Sequence, residues 1–187
     1  MGNGGGRRYL LPLLLLLCLF PRLPAFAAQR IEEMDTDGDG RLDEWRTLEG
    51  ESVVRIERDR DGDGKREVLI LLEGGRPLRS EVDRNADGQP DYIRFYREGK
   101  PEREMGDLDF DRRWDLWTFY KQGVKDLAIM DRDHDGKPDA WFYYQGGGLK
   151  IRGGKVDEDE DGRPERTFGD FPQKEDRRPF SWPEPSP

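Results

Sequence analysis

Cysteine, histidine and long apolar runs are nearly missing from this chain of 187 residues. Cys18 is the single cysteine and His134 the single histidine. Beyond residue 27 there is no cysteine, so no disulfide framework can staple the fold. The serines Ser52, Ser80, Ser181 and Ser186 stand beside no base in a nucleophile motif, and no phosphate-binding glycine loop occurs. The expectation is a protein that is not an enzyme. Apolar residues make up 33% of the chain against 39% charged, with a net charge of −9, a composition close to the disordered class. A chain this polar folds well only with strict repetition or with order supplied from outside. The excess of acid argues against nucleic acid and anionic membranes as partners.

The one apolar run lies at the start. Arg7 and Arg8 precede YLLPLLLLLCLF, and PAFAAQ follows. A basic start, a short apolar stretch and an A-x-A site read as a secretory signal over residues 1–27, cleaved after Ala27. The run is too short for a comfortable membrane span. Leu17 stands before Cys18, where a lipoprotein would carry a small residue. The expected destination is therefore the exterior, the periplasm or the cell envelope, with no membrane span after cleavage. Losing Arg7, Arg8 and Arg22 and no acid takes the net charge from −9 to −12.

What is abundant is a repeat. DTDGDGRLD begins at Asp35, DRDGDGKRE at Asp59, DRNADGQPD at Asp83, DLDFDRRWD at Asp107, DRDHDGKPD at Asp131 and DEDEDGRPE at Asp157. Four intervals are 24 residues and the last is 26, with the two extra residues near GGG and RGG. Chance acidic runs keep no such register. After each acidic turn comes an aromatic and β-branched segment such as YIRFY, LWTFY or AWFYY, then a glycine turn, then a more polar segment. The unit reads as strand, glycine turn, strand, acidic turn. This predicts an all-β antiparallel meander of about six hairpin repeats over residues 28–169, with the acidic loops along one edge; closure of the sheet is left open. Residues 170–187 keep no register, are rich in proline and read as a disordered tail.

Alternation divides the strands into faces. Trp45/Thr47, Leu69/Leu71, Ile93/Phe95, Trp117/Phe119 and Trp141/Tyr143 share one face, and Leu48, Leu72, Tyr96, Tyr120 and Tyr144 share the other. The first set is expected to form the core, with a ligand-stacking surface as the sharper alternative.

The acidic turns have their own logic. Places 1, 3, 5 and 9 hold Asp35, Asp37, Asp39 and Asp43; Asp59, Asp61, Asp63 and Glu67; Asp83, Asn85, Asp87 and Asp91; Asp107, Asp109, Asp111 and Asp115; Asp131, Asp133, Asp135 and Asp139; Asp157, Asp159, Asp161 and Glu165. Asn85 alone is not an acid. Four carboxylates in one turn repel strongly unless a cation takes the centre. Alternating oxygen donors in a short loop suit Ca²⁺, which accepts 6–8 oxygens at flexible distances. Zinc prefers His and Cys, which are nearly absent. The backbone carbonyl at place 7 adds a further oxygen, and the glycine at place 6 lets the chain reverse. Arg112 replaces that glycine in the fourth turn, where weaker binding or none is expected. The first, second and fifth turns are the cleanest, and the sixth lies at the end of the array. His134, at place 4 of the fifth turn, is expected to face solvent.

This turn resembles the D-x-[DN]-x-D-G-x-x-D calcium loops of integrin α-chain propellers and thrombospondin type 3 repeats. It shares its first half with EF-hands, but place 12 holds Arg46, Ile70, Arg94, Thr118, Phe142 and Phe168 where an EF-hand carries Glu. FYREGK in the hairpin is similar to MORN-type repeats. The resemblance implies calcium bound in a strand-connecting loop, with the ninth residue replacing the missing glutamate. The expected function is that of a secreted or envelope calcium-binding repeat protein, the ion stabilising a structural or interaction module. The alternative is a calcium-dependent module for polysaccharide or another envelope component, using the aromatic ladder.

Overall fold

The computed structural model describes residues 28–159, 161 and 163–170; the expected signal segment and all of the expected tail beyond Asp170 lie outside the described residues. Twelve strands follow in chain order: β1 Gln29–Met34, β2 Glu44–Glu49, β3 Ser52–Arg58, β4 Val68–Glu73, β5 Arg76–Val82, β6 Tyr92–Arg97, β7 Lys100–Gly106, β8 Leu116–Lys121, β9 Val124–Met130, β10 Ala140–Gln145, β11 Lys150–Val156 and β12 Arg166–Gly169. They form one sheet in sequence order, β1 to β12, every strand antiparallel to its neighbours, and the sheet does not close into a barrel. The all-β meander expected from the 24-residue register is the observed fold.

The hairpins are built by their turn chemistry. Gly74–Gly75, Glu98–Gly99 and Gln122–Gly123 each place two successive residues at positive φ, the twist that matches right-handed strands in two-residue hairpins. The fifth hairpin instead closes through Gly146, Gly147, Gly148 and Leu149, between the paired ends Gln145 and Lys150. This longer turn absorbs the two extra residues of the 26-residue step.

Each hairpin also carries a β-bulge at one repeating place. The register shifts between Thr47 and Leu48, Leu71 and Leu72, Phe95 and Tyr96, Phe119 and Tyr120, and Tyr143 and Tyr144. The unpaired residue lies on the second strand, at Val54, Leu78, Glu102, Asp126 and Arg152 in turn. A bulge sharpens local twist, so one per repeat twists this sheet regularly.

The core lies on the face assigned by alternation. Ile93, Met105, Trp117 and Ile129 are buried together, and Phe95, Trp114, Phe119, Leu127 and Trp141 pack against them. These residues span β6 to β10. The opposite face is mixed. Glu44 is buried there between Arg46 at 2.5 Å and Arg58 at 2.6 Å. Glu104 accepts hydrogen bonds from the Tyr92 hydroxyl and from Arg94 Nε at 2.8 Å.

Candidate metal centre

The acidic loops join the hairpins, and backbone hydrogen bonds lock them in a row. The amide of the ninth loop residue donates to the strand end before the loop, as from Asp91 to the Val82 carbonyl at 2.9 Å and from Asp139 to that of Met130 at 2.9 Å. The amide of the first residue donates to the ninth residue of the preceding loop: Asp59 to Asp43 at 3.0 Å, and Asp83 to Glu67, Asp107 to Asp91, Asp131 to Asp115 and Asp157 to Asp139 at 2.8 Å each. The loops therefore stand in register along one sheet edge, as the sequence predicts.

Inside a loop the carboxylates collect backbone amides. In the second loop, Gly62 donates to Asp59 Oδ1 and Gly64 to Asp59 Oδ2, both at 2.8 Å. The Asp63 amide donates to Asp61 at 3.2 Å and the Lys65 amide to Asp63 at 2.8 Å. The Arg60 amide donates to Glu67 Oε2 at 2.8 Å. This cradle recurs around Asp35, Asp83, Asp107 and Asp131. In each loop the ninth acid reaches back to the second amide, as Asp43, Asp91, Asp115, Asp139 and Glu165 do. The place-9 residue thus closes the ring from within.

The cradle depends on two left-handed places. Place 6 holds Gly40, Gly64, Gly88 and Gly136 at φ of 89–91°, and Arg112 at 74° in the fourth loop. Place 4 is left-handed as well: Gly38, Gly62, Ala86, Phe110 and His134 all have positive φ. The second place is not marked by glycine throughout, so residue type alone did not reveal it.

Donor atoms converge to different degrees. Asp59, Asp61, Asp63 and Glu67 each offer a carboxylate oxygen within 4.8 Å of the others, and so do Asp157, Asp159, Asp161 and Glu165. Asp35, Asp37 and Asp39 converge without Asp43, and Asp107, Asp109 and Asp111 without Asp115. The sixth loop, at the end of the array, gathers its donors as fully as the second. In the third and fifth loops, Asp83, Asn85, Asp87 and Asp91, and Asp131, Asp133, Asp135 and Asp139, keep the same pattern of amide bonds.

The electrostatics divide the loops. Asp35 lies below the usual carboxylate range because the Gly40 and Gly38 amides bond its charged form. Asp107 is pushed up, by burial first and then by the charges of Asp115 and Asp109. Asp131 is also pushed up, chiefly by burial, with the Asp133 carboxylate adding to it. In these two loops burial disfavours the charged carboxylate, and neighbouring acids add to the effect. Glu67 is 8% exposed and Asp131 2% exposed, yet Glu67 Oε1 and Asp131 Oδ1 have no hydrogen-bond partner. A buried, unpaired carboxylate oxygen costs several kcal/mol of desolvation unless something positive meets it. The donor set, oxygen-only and multidentate, fits Ca²⁺.

Basic side chains reach between neighbouring loops, Arg41 Nη1 of the first donating to the Gly62 carbonyl of the second at 3.4 Å. Arg112 Nη2 lies 3.3 Å from Asp87 Oδ2, so the residue that replaces glycine in the fourth loop touches place 5 of the third. Lys65 Nζ donates to the Ala86 carbonyl at 3.3 Å. His134 departs from its expected place in solvent. Its Nδ1 sits 2.9 Å from Asp115 Oδ1 and 3.3 Å from Asp109 Oδ2, both in the fourth loop. A left-handed backbone at His134, φ 63°, turns the ring toward the preceding repeat.

The aromatic ladder is packed and covered. Trp117 is 4% exposed. Arg66 lies 4.2 Å over the Trp45 ring, and Arg79 and Arg103 lie 5.4 and 4.3 Å from that of Phe95. These ring faces are occupied by the protein's own cations, which supports the core reading over a stacking surface.

No family model and no curated protein matches the chain. Among solved structures, the chain is similar to one titled "Crystal Structure of TarM", at 9% identity and a TM-score of 0.25, over 60% of this chain and 19% of that one. The chain thus spans about a fifth of that protein's length, and a likeness this slight carries no functional argument.

Proposed function

We propose that this chain is a calcium-stapled β-repeat protein of the cell exterior or envelope, whose bound ions hold successive hairpins in register so that the sheet can serve as a structural or interaction module. The observation that carries the reading is the pair of buried carboxylate oxygens without a partner, Glu67 Oε1 and Asp131 Oδ1, set in loops whose other oxygens are organised by backbone amides. Acids at places 1, 3, 5 and 9 would hold the ion. Calcium supplies no chemistry here beyond charge and coordination.

Magnitudes make the staple plausible. Extracellular calcium modules bind at about 10⁻⁴–10⁻³ M. With a Kd of ~0.1 mM and calcium at ~2 mM, one site stabilises the fold by roughly 1.8 kcal/mol. A few such sites rival the whole net stability of an ordinary domain, about 5–15 kcal/mol. Neighbouring loops are two strands apart, about 10 Å, so the ions would also screen repulsion between loops.

The test is calcium titration calorimetry on the purified protein, with thermal melts in calcium and in EDTA. Several ions bound per chain and a melting temperature that collapses in EDTA are expected. Equal melting temperatures in the two conditions, with no binding heat, would sink the reading.

A further inference from the structure

Besides carrying Arg112 in place of glycine, the fourth loop has a nitrogen donor that enters it from outside. His134 belongs to the fifth loop, nineteen residues beyond Asp115 in sequence. The ladder of loops brings its Nδ1 against Asp115 Oδ1 at 2.9 Å and Asp109 Oδ2 at 3.3 Å. One donor atom from each of the three residues lies within 4.8 Å of the others.

We propose that in the fourth loop Asp109 and Asp115 join His134 of the fifth to form a site for a small nitrogen-preferring divalent cation of the zinc class in place of calcium. The shorter contact is a hydrogen bond between His134 Nδ1 and Asp115 Oδ1, and a zinc-class ion, with ligands about 2.0–2.1 Å away, would take the place of its proton. Calcium bonds are longer, about 2.3–2.6 Å, and calcium favours oxygen, so an imidazole selects against it. Asp115 is 1% exposed, and a carboxylate so buried needs a cation beside it. Its other oxygen, Oδ2, is held by the Leu108 amide at 2.6 Å, which fixes the group for a ligand role. The Arg112 side chain points elsewhere, to Asp87, and so does not occupy the place. On binding, the ion takes the Nδ1 lone pair, and any proton on that nitrogen leaves to solvent. Water completes the coordination, since His134 remains about one-third exposed.

Asp109 and Asp115 are also places 3 and 9 of the fourth loop, the one in which Arg112 replaces glycine, so a zinc-class ion would stand there in place of calcium while the other five loops keep their own donors. The test is zinc titration of the purified protein with calcium in millimolar excess, followed by absorption spectra with Co²⁺ as a coloured stand-in. A single zinc ion per chain that calcium does not displace is expected, with nitrogen-ligand bands in the cobalt spectrum. His134→Asn keeps a residue that tolerates the left-handed backbone and removes the imidazole. It should weaken zinc at least tenfold and abolish those bands while calcium stoichiometry holds. Asp109→Asn, on a half-exposed side chain, should weaken zinc similarly without threatening the fold. No zinc binding in the presence of calcium would overturn the proposal, leaving the imidazolium itself as the partner of Asp115. Zinc affinity and cobalt spectrum unchanged in His134→Asn would also overturn it, placing the ion among carboxylates alone.

Discussion

At the scale of single residues the protein mixes satisfied and unsatisfied carboxylates, and the two kinds respond oppositely to substitution. Asp131 carries an unpartnered oxygen, and burial first, then the neighbouring Asp133, pushes its carboxyl up. Asp131→Asn keeps an oxygen for the Gly136 amide and removes the charge. Without calcium this should raise the melting temperature, because a buried repulsion is gone. With calcium it should lower it, by about 1–2 kcal/mol of lost site stabilisation. Melts of both proteins in calcium and in EDTA read this crossing of signs; a variant less stable in both conditions would argue for a structural carboxylate only. Glu104 is the contrasting case. Burial would raise its carboxyl, but hydrogen bonds from Tyr92 and Tyr120 and the charge of Arg94 hold it below 4.5, while burial and Glu104 push the Tyr92 hydroxyl up to about 12. A depressed carboxyl stabilises the fold fully above its unfolded value, and that stabilisation fades as pH falls through the folded value. Glu104→Gln should therefore cost about 1.5–3 kcal/mol at neutral pH. The gap from the parent should close as pH drops below 4.5, as a series of melts from neutral to acid would record.

At the scale of elements, the strand-turn-strand-loop unit was readable because its 24-residue period repeats both the glycines and the aromatic alternation. Face assignment followed from the same period, and Ile93 and Trp117 lie in the core as expected. The bulges were not readable, since Val54, Leu78, Glu102, Asp126 and Arg152 share no chemistry. Place 4 was hidden for the same reason, its left-handed backbone being carried by Ala86, Phe110 and His134 as well as by glycine. The contact of His134 with the fourth loop was illegible because it joins neighbouring repeats, and one repeat read alone points that ring outward. The last hairpin has its own device. A Cβ on Gly154 would meet the Trp141 carbonyl at 2.6 Å and the Phe168 ring at 2.8 Å. The bare backbone there is the slot that admits β12. Gly154→Ala should displace β12 at a local cost of about 1–3 kcal/mol. Limited proteolysis should then cut beyond Val156 while the earlier strands stay resistant; unchanged resistance would mean that the Phe168 ring and the Trp141 carbonyl both give way without releasing β12.

At the scale of the whole molecule, every strand among the described residues pairs only with its sequence neighbours, so stability is close to a sum of unit and nearest-neighbour terms. Two unequal holdings join the units. Across the sheet, the apolar cluster on β6 to β10 binds the middle hairpins. Along the loop edge, amide bonds from Asp59, Asp83, Asp107, Asp131 and Asp157 tie each loop to the one before. The first holding is indifferent to calcium, and the second sits among the carboxylates that calcium would neutralise. Among the described residues β1 and β12 each have one neighbour, and all of β12 is exposed. Amide exchange should therefore be slowest in β6 to β9 and fastest at the two edge strands. Chelation should first release the five loop-tying amides, with the strand amides around Ile93, Met105, Trp117 and Ile129 following only as the sheet itself opens. Exchange that rises uniformly on chelation would instead make the protein one cooperative unit, in which the ion supports the core as directly as the loops. Exchange unaffected by chelation would mean that the amide ladder stands without the ion, and the staple would have to be sought in the apolar cluster alone.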